Sequence, residues 1–336
     1  MSFSRVQSRS TVVRVAVVGL GAVGGLIAAR LARAGHEVSA LARGATLERV
    51  RDRGIRVESS AGSFSAEVTA SDDARALGPQ ELVVVAVKAP ALGATAPSIA
   101  ALMSPTTVVL PAMNGVPWWF LPAALPNEAP LESVDPGGRL LSRLPLERVL
   151  GCVVHLTCSM PEPGIVRHGF GERLVVGEPL GGASDRVDAV CAALASAGFK
   201  AEASTDVRRE VWYKLWGNMT MNPVSALTGA LTDTILADPL IHAYMLRCMA
   251  EAAAIGARIG CTITQSGEER MQLARDLGGF RTSMLQDTEA GRAIELDALV
   301  TAVHEIGGRV GIDAPNIGAL LGLTRLMARG RGLYPG

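Results

Sequence analysis

The sequence predicts an α/β protein: a doubly wound parallel sheet in the N-terminal half, followed by an all-α C-terminal domain. Three observations carry this. Strand-like and helix-like patterns alternate from residue 12 to about residue 115. A glycine motif, GxGxxG, joins the first strand pattern to the first helix pattern. From about Asp206 onward, apolar residues recur almost entirely at 3–4 spacing. The 336 residues exceed a typical single domain. Two are therefore expected, 1–205 and 206–336.

The run VVRVAVVGL (12–20) is β-branched and apolar throughout, as a strand buried on both faces requires. Ala22 to Ala34 reads as a helix closed by Gly35, and HEVSALAR (36–43) as the second strand. A helix follows in ATLERVRDRG, then short strands in IRVESSAGSFSAEV. ELVVVAVKA (81–89) and TTVVLPAMNG (106–115) are further apolar strands. Residues 116–148, rich in Pro and Leu and carrying Trp118 and Trp119, read as an inserted or extended loop. Strands return at 151–157 and 173–178, and a helix spans Ser184 to Ala197.

Composition narrows the function. Hydrophobic residues make up 49% and charged residues 19%, which excludes global disorder. Basic and acidic residues number 32 each, so nothing favours a nucleic-acid partner. Arg14 and Arg30 bracket the longest early apolar run at 15 residues, short of the ~20 that span a bilayer. Five scattered Cys form no CxxC pair and no metal spacing, which suits reduced thiols and a cytoplasmic location. The first ten residues read as a frayed tail. Trp and Met on helical faces make a homodimer an expectation.

The sharpest motif is Gly19-Leu20-Gly21-Ala22-Val23-Gly24. Between strand and helix it is the Rossmann-type fingerprint for a dinucleotide pyrophosphate. The helix N-terminus offers free N–H groups and a partial positive charge. At the end of the second strand, NAD sites usually carry an acid for the ribose hydroxyls. Here Arg43 stands 19 residues after Gly24, so NADP(H) is the expected cofactor. Lys88 and Asn114-Gly115 end the strands at 81–89 and 106–115, where ligands of such sheets bind.

Only three of the 32 basic residues are Lys: 88, 200 and 214. Where Arg is the default cation, a Lys marks a place for an amine able to lose its proton. Lys214, Asn218 and Asn222 recur at i, i+4, i+8, one helical stripe about 12 Å long. Pro223 is expected to break or kink that helix near Asn222. A third polar cluster, RTSMLQDTEAGRAIELD (281–297), includes Ser283, Gln286, Asp287, Arg292 and Glu295. A second helix is expected to start near Glu295, where a carboxylate also suits the helix dipole.

GLGAVGG, Lys88, Asn114-Gly115, PGIVRHGFG–VGE (163–178), KLWGNMTMNP and SMLQDTEAGRAIELD resemble the ketopantoate reductase family in order and spacing, from Val13 to Arg325. The resemblance implies NADPH-dependent reduction of 2-dehydropantoate (ketopantoate) to pantoate, a step of pantothenate and coenzyme A biosynthesis. It implies Lys214 as proton donor with Glu295 assisting. It further implies that Asn114, Asn218, Asn222 and Ser283 hold the substrate, with Lys88 beside the cofactor. The sequence departs from the family pattern at Val116-Pro117-Trp118-Trp119, Ile294 and Val300. Those departures leave two rivals: a reductase of another 2-oxo acid, and a non-catalytic NADP-binding regulator.

Overall fold

A computed structural model describes residues 12–335; the N-terminal tail lies outside the described residues. The strands are β1 (Arg14–Val18), β2 (Glu37–Leu41), β3 (Ile55–Ser59), β4 (Gly62–Ala66), β5 (Thr69–Ser71), β6 (Leu82–Val85), β7 (Val108–Pro111), β8 (Gly151–His155), β9 (Cys158–Glu162), β10 (Ile165–His168), β11 (Arg173–Gly177) and β12 (Lys200–Ser204). Five of them form a parallel sheet in the order β5-β2-β1-β6-β7. The chain runs outward from β1 in one direction and then from β6 in the other. The order thus reverses between β1 and β6, which places a crevice beyond their carboxyl ends. Val15 to Val18 and Leu82 to Val85 are fully buried, as central strands covered on both faces must be.

The helix Ala22–Arg33 covers one face with Leu26, Ile27 and Leu31. Its entry requires glycine at position 24. A Cβ there would lie 2.0 Å from the Gly19 carbonyl oxygen and 2.9 Å from Ala86 Cβ. The absence of that carbon lets helix, turn and β6 meet.

The PGIVRH run supplies β10, which pairs parallel to β3 and antiparallel to β9. It packs over the first helix, where Val166 meets Gly25. β8, β11 and β12 form a third small sheet. Residues 116–148, expected as a loop, instead fold into short helical turns, among them Phe120–Ala124 and Arg139–Arg143. The reason is aromatic burial. Trp118, Trp119 and Phe120 are all inaccessible, and Phe120 stacks on Trp212 at 5.8 Å between ring centroids.

The helical half is organised around Val207–Thr228, a 22-residue helix. It packs against Pro239–Arg258, Ser283–Glu289 and Pro315–Gly330. Its indoles are buried and satisfied: Trp212 donates to the Ala252 carbonyl at 3.2 Å and Trp216 to that of Met249 at 2.7 Å. Pro223 does not end this helix, which runs on to Thr228 and closes on left-handed Gly229. Every residue from Met219 to Ala226 is buried, so tertiary packing outweighs the lost backbone bond.

Gly24→Ala should force the motif apart. Overpacking of this kind costs roughly 1–3 kcal/mol. A fall of several degrees in the thermal midpoint is expected, followed by circular dichroism. An unchanged midpoint would show that the turn relaxes freely.

Candidate active site

The carboxyl ends of β1, β6 and β7 open on a cleft of about 750 Å³ between the sheet and the helical half. Gly21, Ala22, Val23, Lys88 and Asn114 line the sheet side; Ser283, Asp287, Arg292 and Glu295 line the other. β9 adds Cys158 and Met160 at one wall.

Asn114 is placed by the turn after β7. Gly115 adopts φ +83°, and a Cβ there would lie 2.5 Å from the Ala298 carbonyl oxygen. Val116 N–H donates to that same carbonyl at 2.7 Å. The turn therefore seats directly on the segment that carries Glu295. After Glu295 the backbone makes one π turn, Asp297–Thr301, before the helix Ala302–Arg309. Such turns are frequent at functional sites.

Lys214 points from the long helix toward this turn. Its Nζ donates to Asn114 Oδ1 at 2.7 Å and to the Val154 carbonyl of β8 at 2.5 Å. Burial lowers its pKa from 10.5 to about 8, opposed by the nearby Cys152 and Glu295. His155, on the same strand, is pushed down to about 4 by burial and then by Lys214. It is neutral at pH 7 and adds no competing charge. Glu295 has its pKa raised by burial, while the Ala89 N–H, Lys88 and Lys214 pull it down and Asp287 pushes it further up. Its Oε1 accepts from the Ala89 N–H at 3.0 Å.

Among the described residues no ion pair joins Glu295 to Lys214. Two neutral oxygens hold the ammonium, and Glu295 acts on it through space. Lys88 forms an ion pair across the cleft with Asp287 at 2.5 Å, and Asp287 also pairs with Arg292 at 3.0 Å. Lys214 and Asn218 line a small recess under Asn114. Asn222 is buried behind the cleft wall, with its amide 3.5 Å from Ser283 Oγ. Gly19, Leu20 and Gly24 shape the turn without lining the cleft. Arg43 stands exposed at the end of β2, outside the cleft lining. Ile294 and Val300 are buried in the core and touch neither the cleft nor the recess.

The site suits a dinucleotide. The helix Ala22–Arg33 has no acid in its first turn and no side-chain cap, and Gly21 has no atom within 4 Å of where a Cβ would stand. Its N-terminal amides are thus free to meet a phosphate.

A dinucleotide-type sheet facing a helical half that presents a lysine defines the class: a two-domain oxidoreductase. The chain belongs to the ketopantoate reductase family. It matches that family's "Ketopantoate reductase PanE/ApbA" description over residues 15–181 and its C-terminal counterpart over 206–328. It is 41% identical to a 2-dehydropantoate 2-reductase of Mesorhizobium japonicum, covering 96% of this chain and 99% of that one. A crystal structure from Ralstonia solanacearum MolK2, provisionally described as a ketopantoate reductase, is 53% identical. It covers 96% of this chain and 100% of that one, with a TM-score of 0.93. A 2-dehydropantoate 2-reductase structure from Geobacter metallireducens GS-15 is 27% identical, covers 94% and 99%, and has a TM-score of 0.82. The family is one of NADPH-dependent reductases, and the chain is an oxidoreductase of it. No helix among the described residues is long and apolar enough to cross a membrane.

Two contributors escaped sequence reasoning. The Val154 carbonyl is backbone, so no residue type marks it. Asp287 stood in the SMLQD string, but nothing there linked it to Lys88, 199 positions earlier.

The depressed Lys214 pKa has a stability consequence. Between about 8 and 10.5 the unfolded chain binds more protons than the folded one, so this contribution rises with pH across that window. Lys214→Met lacks it. Urea midpoints of the wild type, compared with those of Lys214→Met, should therefore gain ground from pH 8 to pH 10. A constant difference would mean that the ammonium is not desolvated.

Proposed function

We propose that this chain is an NADPH-dependent 2-oxo acid reductase with ketopantoate as its leading substrate. The observation that carries this is the Lys214 ammonium, held by Asn114 and the Val154 carbonyl in a small recess that shares Asn114 with the dinucleotide-type cleft. The relatives' name, 2-dehydropantoate 2-reductase, supports the substrate. Residues 1–205 form the cofactor half and 206–336 the substrate half in this reading.

Bound across Gly21 and the helix N-terminus, NADPH supplies a hydride for the keto carbon. The chain's own task is the proton. As the carbonyl oxygen gains charge, Lys214 donates to it, and a pKa near 8 keeps the ammonium a willing donor at neutral pH. Glu295 raises the proton affinity of Lys214 from a distance and offers its other oxygen to a substrate hydroxyl. Ser283, held toward the cleft by Asn222, and Asn218 beside Lys214 bind substrate oxygens. Lys88 lies beside the cofactor.

For cofactor choice, Gly19 N–H bonds to the Leu41 carbonyl at 3.0 Å, which fixes the end of β2 beside the glycine turn. Two residues on, Arg43 is exposed and has no carboxylate partner among the described residues. A guanidinium so placed matches a 2′-phosphate.

Lys214→Ala should lower both kcat and kcat/KM by about 10²–10⁴, with NADPH binding preserved. Lys214→Arg should restore little, because a guanidinium holds its proton too tightly. Steady-state kinetics and NADPH fluorescence titration check both, and near-full activity of the Arg variant would send the search for the donor elsewhere. Arg43→Ala should weaken NADPH about 10–100-fold and spare NADH, measured as dissociation constants. Equal losses would remove the basis for preferring NADPH.

A further inference from the structure

Beside the catalytic cleft lies a second cavity of about 400 Å³. It is not separate from the chemistry, because Asn114 and Glu295 line both spaces. Most of its remaining wall is apolar, with Ser133, Asp135 and Asp297 also reaching it. Trp118 and Leu140 come from the packed 116–148 segment, and Ala96 from the helix Ala89–Ala101. Trp118 and Leu140 are buried, and the Trp118 indole is fixed by its bond to the Leu144 carbonyl at 3.1 Å. Arg139 and Arg143 stand at the exposed rim, where their stems add apolar surface.

Gly93 gives an independent sign. It lies inside the helix Ala89–Ala101, lines this cavity, and has nothing within 4 Å of where a Cβ would stand. A mid-helix glycine costs roughly 0.5–1 kcal/mol relative to alanine. No packing neighbour demands its small size. What its absence of side chain does provide is room in the cavity.

Pockets of about 300–1,000 Å³ are typical of sites for small organic ligands. The cavity adds that much space to a cleft whose own volume is shared with a dinucleotide. We propose that it is a side-chain pocket of the active site, so that the enzyme also reduces 2-oxo acids whose chain beyond the keto carbon is bulky and apolar, aryl groups included. This inference rests on the 2-oxo acid reductase reading above. The 2-oxo acid end stays at Lys214, Ser283 and Asn218. The apolar end passes Asn114 and Glu295 and lies between Trp118, Leu140 and Ala96.

The test is kinetics on ketopantoate and on 2-oxo-4-phenylbutanoate with the wild type, Gly93→Ala and Gly93→Leu. The wild type should reduce the phenyl acid with kcat/KM within about tenfold of its value for ketopantoate. Gly93→Leu fills the pocket and should cut the phenyl acid by about tenfold or more while leaving ketopantoate within about threefold. Gly93→Ala should change neither by more than about threefold. Both substitutions improve helix propensity, and a thermal melt verifies folding. If the Leu variant fails to fold, Gly93→Met, with its flexible chain, replaces it. If ketopantoate is reduced and the phenyl acid is not, or if Gly93→Leu affects both alike or neither, the pocket is refuted and the reductase reading stands. If neither acid is reduced, the reductase reading falls. The pocket is then judged by calorimetry of 2-hydroxy-4-phenylbutanoate on the enzyme–NADP⁺ complex. Binding that Gly93→Leu abolishes upholds it; absent or unaltered binding refutes it.

Discussion

The site depends on one close approach, that of the Gly115 backbone to the Ala298 carbonyl. Gly115 has a left-handed φ and no room for a Cβ, and Val116 N–H closes the contact with a hydrogen bond. Through this contact the end of β7 and the segment after Glu295 become one rigid unit. Asn114 then faces Lys214, and Glu295 faces the Ala89 N–H. Cleft and side cavity share their wall at Met113, Asn114 and Glu295. A shift of this turn moves the acceptor of the ammonium and both cavity walls together.

Charge around the cleft is arranged by partnership and separation. Asp287 is buried and pairs with Lys88 and Arg292, and neither pair involves Lys214. His155, the nearest imidazole on β8, is kept neutral by burial and by Lys214 itself. The lysine has a pKa set mainly by desolvation, and Glu295 tunes it from a distance.

Much of the fold was legible because its signals are local. The buried strands β1, β6 and β7 are unbroken apolar runs, and the glycine turn sits between a strand and a helix, where its chemistry is needed. What failed was non-local. β10 pairs with β3 about a hundred residues upstream and carries β9 on its other edge, and nothing in PEPGIVRH announces that partner. Pro223 reads as a helix breaker until Met219 to Ala226 are seen to be buried together. Residues 116–148 read as a loop because their turns are short, and only the stacking of Phe120 on Trp212 reveals a packed layer. The candidate site was legible as residue types at helical spacing. The acceptors of the Lys214 ammonium were not, since one is an amide about a hundred residues away and the other is a backbone carbonyl. The departures at Ile294 and Val300 also looked like pocket changes, yet both side chains belong to the core.

The two acceptors of Lys214 are uncharged, and that bears on the direction of catalysis. A carboxylate partner would favour the ammonium strongly and leave the neutral amine poorly held. An amide oxygen and a peptide carbonyl accept from an N–H of either form. After the proton leaves, the nitrogen therefore keeps its place, with a lone pair aimed where the proton went. On the proposed chemistry, the pocket that serves an acid in reduction would hold a ready base for oxidation of the hydroxy acid. The same groups then serve both directions, and the ratios of reduced to oxidised dinucleotide and of oxo to hydroxy acid set which way the reaction runs at a given pH.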